Sequence, residues 1–237
     1  MEKLLDEIES YWSTRTEGYS EVNHKELAGT QKNAWLKVLT SQFPDKPKEE
    51  IRILDIGTGP GFFPVILAEA GYHVDAVDYT EGMLEKAKEN AGELCRNIHF
   101  QRMDAQKLEF EDNTFDVVIS RNLTWNLEHP DVAYREWVRV LKVGGRLLNF
   151  DANWYGYLYD EEKRLSYEED RKSVESEHLD DHYLCTDIDR MEKIALQMPL
   201  SCKNRFSDIS RHDQIHCIPL LFAPVESYTL TDILRPR

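Results

Sequence analysis

From about residue 50 onward, short apolar runs alternate with segments whose apolar residues recur every three to four positions. Ile51–Ile56 reads as a strand and Gly61–Ala70 as a helix, ended by Gly71. His73–Val77 forms a second strand closed by Asp78, and Thr80 caps a helix over Glu81–Asn90. Asn97–Gln101 is a third strand. The turn residues Asp112-Asn113 announce a fourth over Phe115–Ser120. Pro130–Leu141 is a helix with Ala133, Trp137, Val140 and Leu141 on one face; Gly144-Gly145 stops it, and Arg146–Phe150 is a fifth strand. Continuous apolar strands separated by helices predict an α/β fold, Rossmann-like and doubly wound, with a mostly parallel sheet covered on both faces. Sheets of this kind bind ligands outside the carboxyl ends of their strands.

The flanking segments differ in character. Residues 1–22 predict a helix with Leu5, Ile8, Tyr11, Trp12, Arg15 and Tyr19 along one side, and 31–41 a second helix striped by Ala34, Trp35, Val38 and Leu39. Phe43-Pro44-Asp45-Lys46-Pro47 breaks the pattern. The expected organisation is an N-terminal helical cover over 1–45, a core over 46–153, an inserted acidic helical lid over 154–200 and a C-terminal end of the sheet over 201–237. The lid follows from residues 160–189, with twelve Asp or Glu against four Lys or Arg. Its aromatic lead-in, Trp154-Tyr155-Gly156-Tyr157-Leu158-Tyr159, calls for a partner surface. A solvated acidic helix is the plainer reading of the same residues. The last 35 or so residues offer only Ile215–Phe222, interrupted by Pro219, and Glu226–Leu230 as strands, so the sheet is finished irregularly or this end is incomplete.

The 237 residues are 41% hydrophobic and 31% charged, with a formal net charge of −15. The acidic balance argues against a nucleic-acid backbone or an anionic membrane as main partner. No window approaches a membrane span, and Met1–Glu7 lacks a signal-peptide layout. Cys95, Cys185, Cys202 and Cys217 show no paired spacing, so a reduced, cytoplasmic setting is expected. His178-x-x-x-His182 with Cys185, and His212-x-x-x-His216 with Cys217, have helix-compatible metal spacing but no clear fourth ligand; no metal is expected.

The chemistry concentrates at Asp55-Ile56-Gly57-Thr58-Gly59-Pro60-Gly61, between the first strand and its helix. A dinucleotide loop is spaced Gly-x-Gly-x-x-Gly and cradles a pyrophosphate. Here the glycines alternate, bulky Phe62 and Phe63 follow, and Asp55 would repel a pyrophosphate while welcoming an ammonium group. Asp78, 17 residues past Gly61, can accept two hydrogen bonds from vicinal ribose hydroxyls. Asp104 can accept one from an exocyclic amine such as adenine N6. Tyr79 and Met83 offer flat or polarisable surface to a base. Acids at the ends of three successive strands thus match an amine, a ribose and an adenine, a combination found in S-adenosylmethionine.

With Leu54–Gly61, Asp78-Tyr79-Thr80-Glu81-Gly82-Met83-Leu84-Glu85-Lys86-Ala87, Asp104-Ala105, Ser120-Arg121-Asn122-Leu123 and Arg139–Arg146 in order, residues 50–153 resemble the class I S-adenosylmethionine-dependent methyltransferases. The similarity is to the small-molecule type related to quinone-biosynthesis methyltransferases. It implies that Asp55 with Gly57, Thr58, Gly59 and Gly61 holds the methionine end, that Asp78 takes the ribose and Asp104, beside Ala105, the adenine amine. It places Asn122 and its neighbours close to the sulfonium and folds the N-terminal helix over the cofactor, with Arg15 and Tyr19 as cofactor contacts and Arg15 a partner for the methionine carboxylate. Val143 replaces a common Pro before Gly144-Gly145, and the antiparallel hairpin that usually closes the family's sheet is not evident.

The resemblance implies in-line methyl transfer to a small-molecule acceptor, leaving S-adenosylhomocysteine. Such a displacement needs alignment and exclusion of water more than a catalytic residue. His129, Asp151 and Asn153, near strand ends, are the candidates if a base is required. Two competing readings stand beside it: a non-catalytic sensor or partner subunit that binds the same cofactor, and a nicotinamide-dependent oxidoreductase, disfavoured by the glycine spacing and Asp55.

Overall fold

The computed structural model describes residues 2–151, 161–162, 164–165 and 215–219. Helix α1 spans Glu2–Ala28 and α2 Gln31–Thr40. Strand β1 (Ile53–Ile56), helix α3 (Phe62–Glu69), strand β2 (Val74–Asp78), helix α4 (Glu81–Ala91) and strand β3 (Ile98–Arg102) follow in strict alternation. Strand β4 (Phe115–Arg121), helix α5 (Pro130–Val140) and strand β5 (Leu141–Asp151) complete it, with β6 at Ile215–Pro219. The sheet order is β3-β2-β1-β4-β5-β6 and every pairing is parallel. The order reverses between β1 and β4, which opens a crevice above their carboxyl ends.

Alternation along the buried strands sorts the core into two layers. Leu54, Ile56, Val118 and Leu147 pack with Trp137 and Val140 of α5. Ile53, Val117, Ile119, Leu148 and Phe150 pack with Phe62, Phe63, Ile66 and Leu67 of α3 and with Val38 and Leu39 of α2. Asp55 shares the face of Ile53, so its carboxylate projects from the sheet into an aromatic and aliphatic layer.

Several elements depart from the sequence-based expectation. Helix α1 runs past residue 22 to Ala28, because the pattern of inward-facing positions continues through Asn23 and Glu26. Gly144-Gly145 do not stop α5. The helix ends at Val140, and Leu141 already pairs with Phe115. Register resumes at Val117 with Arg146, so the glycines lie in a bulge within β5. Gly144 has φ of 86°, and a Cβ on Gly145 would come 2.9 Å from the Asp116 carbonyl oxygen. Thr80 holds the N-cap position of α4, but its side chain caps nothing; its backbone N–H donates to Asp78 Oδ1 at 2.9 Å. Ile215–Pro219 lies parallel beside β5 and is the last strand of the sheet among the described residues, a position where the missing N–H of Pro219 is tolerated. Residues 154–160 and 166–200 of the expected lid, and Glu226–Leu230, lie outside the described residues. Among those described, no helix is long and apolar enough to cross a membrane.

At the end opposite the crevice, Asp116 ties β4 to its surroundings. The residue is 3% exposed, and its carboxylate accepts from Lys46 Nζ at 2.5 Å, Lys142 Nζ at 2.7 Å and the Arg52 N–H at 3.0 Å. Burial alone would raise its pKa, but bonds from Lys142 and Lys46 hold it at about 2. A depressed acid stabilises the fold above its unfolded pKa and loses that contribution as pH falls through the folded value. Asp116→Ala is therefore expected to cost about 2 kcal/mol at pH 7 in urea denaturation. The difference from the parent protein should shrink between about pH 4 and pH 2.

Candidate functional site

A cavity of about 150 Å³ sits above the carboxyl ends of β1, β2, β3 and β4, roofed by α1. Its floor is the turn after β1. Gly57 and Thr58 both donate their N–H to the Val77 carbonyl, at 2.8 and 3.0 Å, which ties the turn to β2. Gly57, Gly59 and Gly61 all have positive φ, at 68°, 52° and 90°, a region open to glycine at no steric cost. Their surroundings differ. A Cβ on Gly57 would meet Leu123 at 2.8 Å, and one on Gly61 would meet Ala87 Cβ of α4 at 3.0 Å. Above Gly59 the nearest atom is Tyr19 Cε1 at 3.7 Å. Gly57 and Gly59 line the cavity; Gly61 lies outside it and sets the approach of α4 to α3.

The three strand-end acids come together. Asp55, Asp78 and Asp104 all line this one cavity, with Thr58, Tyr79, Met83, Ala105 and Asn122. Asp55 is 2% exposed, and its pKa is pushed up to about 7. Burial is the main cause, the Asp78 charge adds to it and the Arg121 charge opposes it. The Asp78 carboxylate is clamped: Oδ2 accepts the Gly59 N–H at 2.8 Å and Oδ1 the Thr80 N–H at 2.9 Å. Burial still raises its pKa. Asp104 Oδ1 accepts the Gln106 N–H at 2.8 Å, an Asx-type turn that fixes the carboxylate at the end of β3.

Helix α1 supplies the roof through Leu5, Ile8, Glu9, Trp12, Tyr19, Val22, Asn23 and Glu26, one stripe of the helix. Ion pairs hold it at three points: Glu9 to Arg102 at 2.8 Å, Glu17 to Lys86 at 2.9 Å and Glu26 to Arg121 at 2.6 Å. Trp12 stands edge-on to Tyr11, Tyr19 and Trp125, with centroids 5.2, 5.5 and 6.0 Å away. Tyr19 lies against Asn122, and burial raises the pKa of its hydroxyl although 37% of the residue remains exposed. Asn122 adopts φ of 56°, and its Oδ1, like Asn23 Oδ1, is buried without a hydrogen-bond partner.

The remaining expected residues lie elsewhere. Arg15 does not line the cavity; its guanidinium sits 5.5 Å from the Tyr11 ring centroid. His129 is the N-cap residue of α5, donates its N–H to Gln106 Oε1 at 2.7 Å and stays outside the cavity. Asp151 Oδ2 accepts the Thr124 N–H at 2.8 Å and the Thr124 hydroxyl, anchoring the loop after β4 rather than facing the cavity. Asn153, His178, His182, Cys185 and His212 lie outside the described residues. No group of three metal-ligating side chains occurs among the described ones. Asn23 and Glu26 line the cavity without any expectation from the sequence, and Arg121 lines it where the sequence marked it only as a neighbour of Asn122. Continuing the stripe from Trp12 and Tyr19 through 22–23 and 26 would have found the first two.

Residues 54–149 match the family model described as a methyltransferase domain. This agrees with the glycine turn and the three clustered acids. Residues 54–149 thus carry a methyltransferase domain, similar to those of the class I S-adenosylmethionine-dependent methyltransferases. The chain is 40% identical over 97 residues to a demethylmenaquinone methyltransferase of Clavibacter sepedonicus, covering 41% of this chain and 39% of that one. It is 31% identical over 170 residues to a ubiquinone/menaquinone biosynthesis C-methyltransferase of Xanthomonas oryzae, covering 67% of this chain and 64% of the relative. The chain thus spans between 39% and 64% of the length of these relatives. In structure it is similar to an S-adenosyl-L-methionine-dependent methyltransferase fold from Methanococcus maripaludis, with a TM-score of 0.53 and 21% identity over 79% of this chain and 84% of that one. The donor and acceptor set of the methyltransferase cavity fits a cationic, adenosine-bearing cofactor: in a mostly apolar and aromatic lining the charged residues are five acids and Arg121, and two amide oxygens await donors.

An acid whose folded pKa lies above its unfolded value of 3.8 binds more protons when folded, so stability falls as pH rises towards 7. Asp55→Asn removes this cost. The ligand-free variant is expected to be more stable than the parent at pH 8, by on the order of 2 kcal/mol, and nearly equal to it at pH 4. Thermal melts at both pH values check this.

Proposed function

We propose that the methyltransferase domain transfers a methyl group from S-adenosylmethionine to a small-molecule acceptor by in-line displacement. The observation that carries the reading is the convergence of Asp55, Asp78 and Asp104, from three adjacent strands, on a single roofed cavity. When bound, the cofactor supplies an electrophilic methyl group on a sulfonium. The chain binds, orients and shields it. Asp78 accepts from the ribose hydroxyls. Its carboxylate is pre-oriented by the Gly59 and Thr80 N–H groups, so little order is lost on binding. Asp104 accepts from the adenine amine, and Tyr79, Met83 and Met103 flank the base. Asp55 faces the ammonium group with the glycine turn, and Asn122 and Tyr19 stand near the sulfonium. Helix α1 excludes water, which strengthens each of these contacts.

Nothing in this arrangement requires a general base, since an acceptor that already carries a lone pair needs only alignment. The relatives named for ubiquinone and menaquinone biosynthesis support a small-molecule acceptor for this chain. Because a cationic partner favours the ionised form of Asp55, cofactor affinity is expected to rise between pH 6 and pH 8 and then level off. Isothermal titration with S-adenosylhomocysteine tests the assignment. Asp78→Ala and Asp104→Ala should each weaken binding by about 1.5–3 kcal/mol. Affinity unchanged in both variants contradicts the reading. Label retained on the protein but never passed to any small molecule in a cell extract would instead favour a binding subunit.

A further inference from the structure

The charges around the cavity are lopsided. Glu9, Glu26, Asp55, Asp78 and Asp104 line it, and Arg121 is the one cationic side chain among the described lining residues. A ligand with an α-amino acid end brings both an ammonium and a carboxylate. The acids can meet the first; only Arg121 can meet the second with opposite charge.

Arg121 is built into this place. It is the last residue of β4, on the face of Ile119, and Gly57 of the turn lies beside it, since Ile56 pairs with Ser120. Its guanidinium lies over Phe62, Trp35 and Phe63, at 5.0, 5.3 and 5.8 Å from their centroids, so the apolar layer below fixes its plane. Glu26 of the roof accepts from Nη1 at 3.1 Å and from Nη2 at 2.6 Å. Those bonds engage two of the five N–H donors of an arginine, and Nε is buried with no partner. Arg15, the residue that the family resemblance nominates for a carboxylate, lies outside the cavity against Tyr11.

We propose that Arg121 is the carboxylate anchor of the methyltransferase site: held on its roof side by Glu26, it receives the α-carboxylate of the cofactor's methionine end. The proposal rests on the cofactor reading above. It assigns a specificity-determining role, because a planar fork beside an acid selects an amino-acid zwitterion over ligands that carry adenosine alone. It also couples ligand to roof, since the same guanidinium meets α1 through Glu26 and the bound carboxylate directly.

The test is a cycle of two ligands and two proteins, read by isothermal titration. The ligands are S-adenosylhomocysteine and 5′-deoxy-5′-(3-aminopropylthio)adenosine, which keeps the ammonium and adenosine but lacks the carboxylate. The parent protein should prefer S-adenosylhomocysteine by about 10- to 100-fold. Arg121→Met, which keeps an apolar stem against the aromatic rings, should lose that preference while binding the amine ligand within about threefold of the parent. Arg15→Met should behave as the parent. If Arg121→Met fails to fold, Arg121→Gln, which retains a donor toward Glu26, should show the same selective loss. Equal weakening of both ligands in the variant would overturn the proposal and leave Arg121 as a strut for α1. Failure of the parent to bind either ligand would instead overturn the cofactor reading itself.

Discussion

The structure is organised around carboxylates taken out of water at the rim of a parallel sheet. Burying a carboxylate without donors costs several kcal/mol, and the usual response is a raised pKa. Asp55 and Asp78 show that response, Asp55 up to about 7. For Asp78 the local backbone supplies two N–H bonds, from Gly59 and Thr80. For Asp55 it supplies none comparable, and the amide oxygens of Asn23 and Asn122, which line the same cavity, are unpartnered as well. A fold that buries several acceptors around one cavity, from its rim and from its roof, has left their donors to a ligand. That is the physical content of calling this a cation-binding site.

The roof is what makes the burial possible. Helix α1 is 27 residues long, about 40 Å, enough to cross the rim from β3 to β4. Its grip is partly apolar, through Leu4, Ile8, Tyr11 and Trp12 against Trp125. The rest comes from ion pairs at Glu9, Glu17 and Glu26. Pairs as exposed as Glu17 with Lys86 contribute little. The pair of Glu26 with Arg121 is four-fifths buried and bidentate, so it dominates the fastening at the end where the methionine portion would lie.

The alternating core was legible because buried parallel strands write themselves as short apolar runs, and each helix between them had a start or stop residue. The three acids could be assigned to a shared rim because strand ends of a doubly wound sheet lie together by topology. What the sequence hid was set by tertiary packing. Gly144-Gly145 looked like a helix stop, but Leu141 gains more by pairing with Phe115, and the glycines absorb the extra residues in a bulge. Arg15 and Arg121 look alike as residues, and only the turn of α1 and the register of β4 show that one faces the cavity and the other does not. Asn23 and Glu26 fell beyond the expected end of α1, which carries no proline or other sharp stop before Gly29 to mark its true limit.

The most direct measurement is a crystal structure of the protein with S-adenosylhomocysteine. The account places the ligand beneath α1, its ribose on Asp78, its adenine amine on Asp104 and its amino-acid end between Asp55 and Arg121. Density for the ligand elsewhere on the molecule, or in this cavity with its adenosine turned away from Asp78 and Asp104, would contradict it.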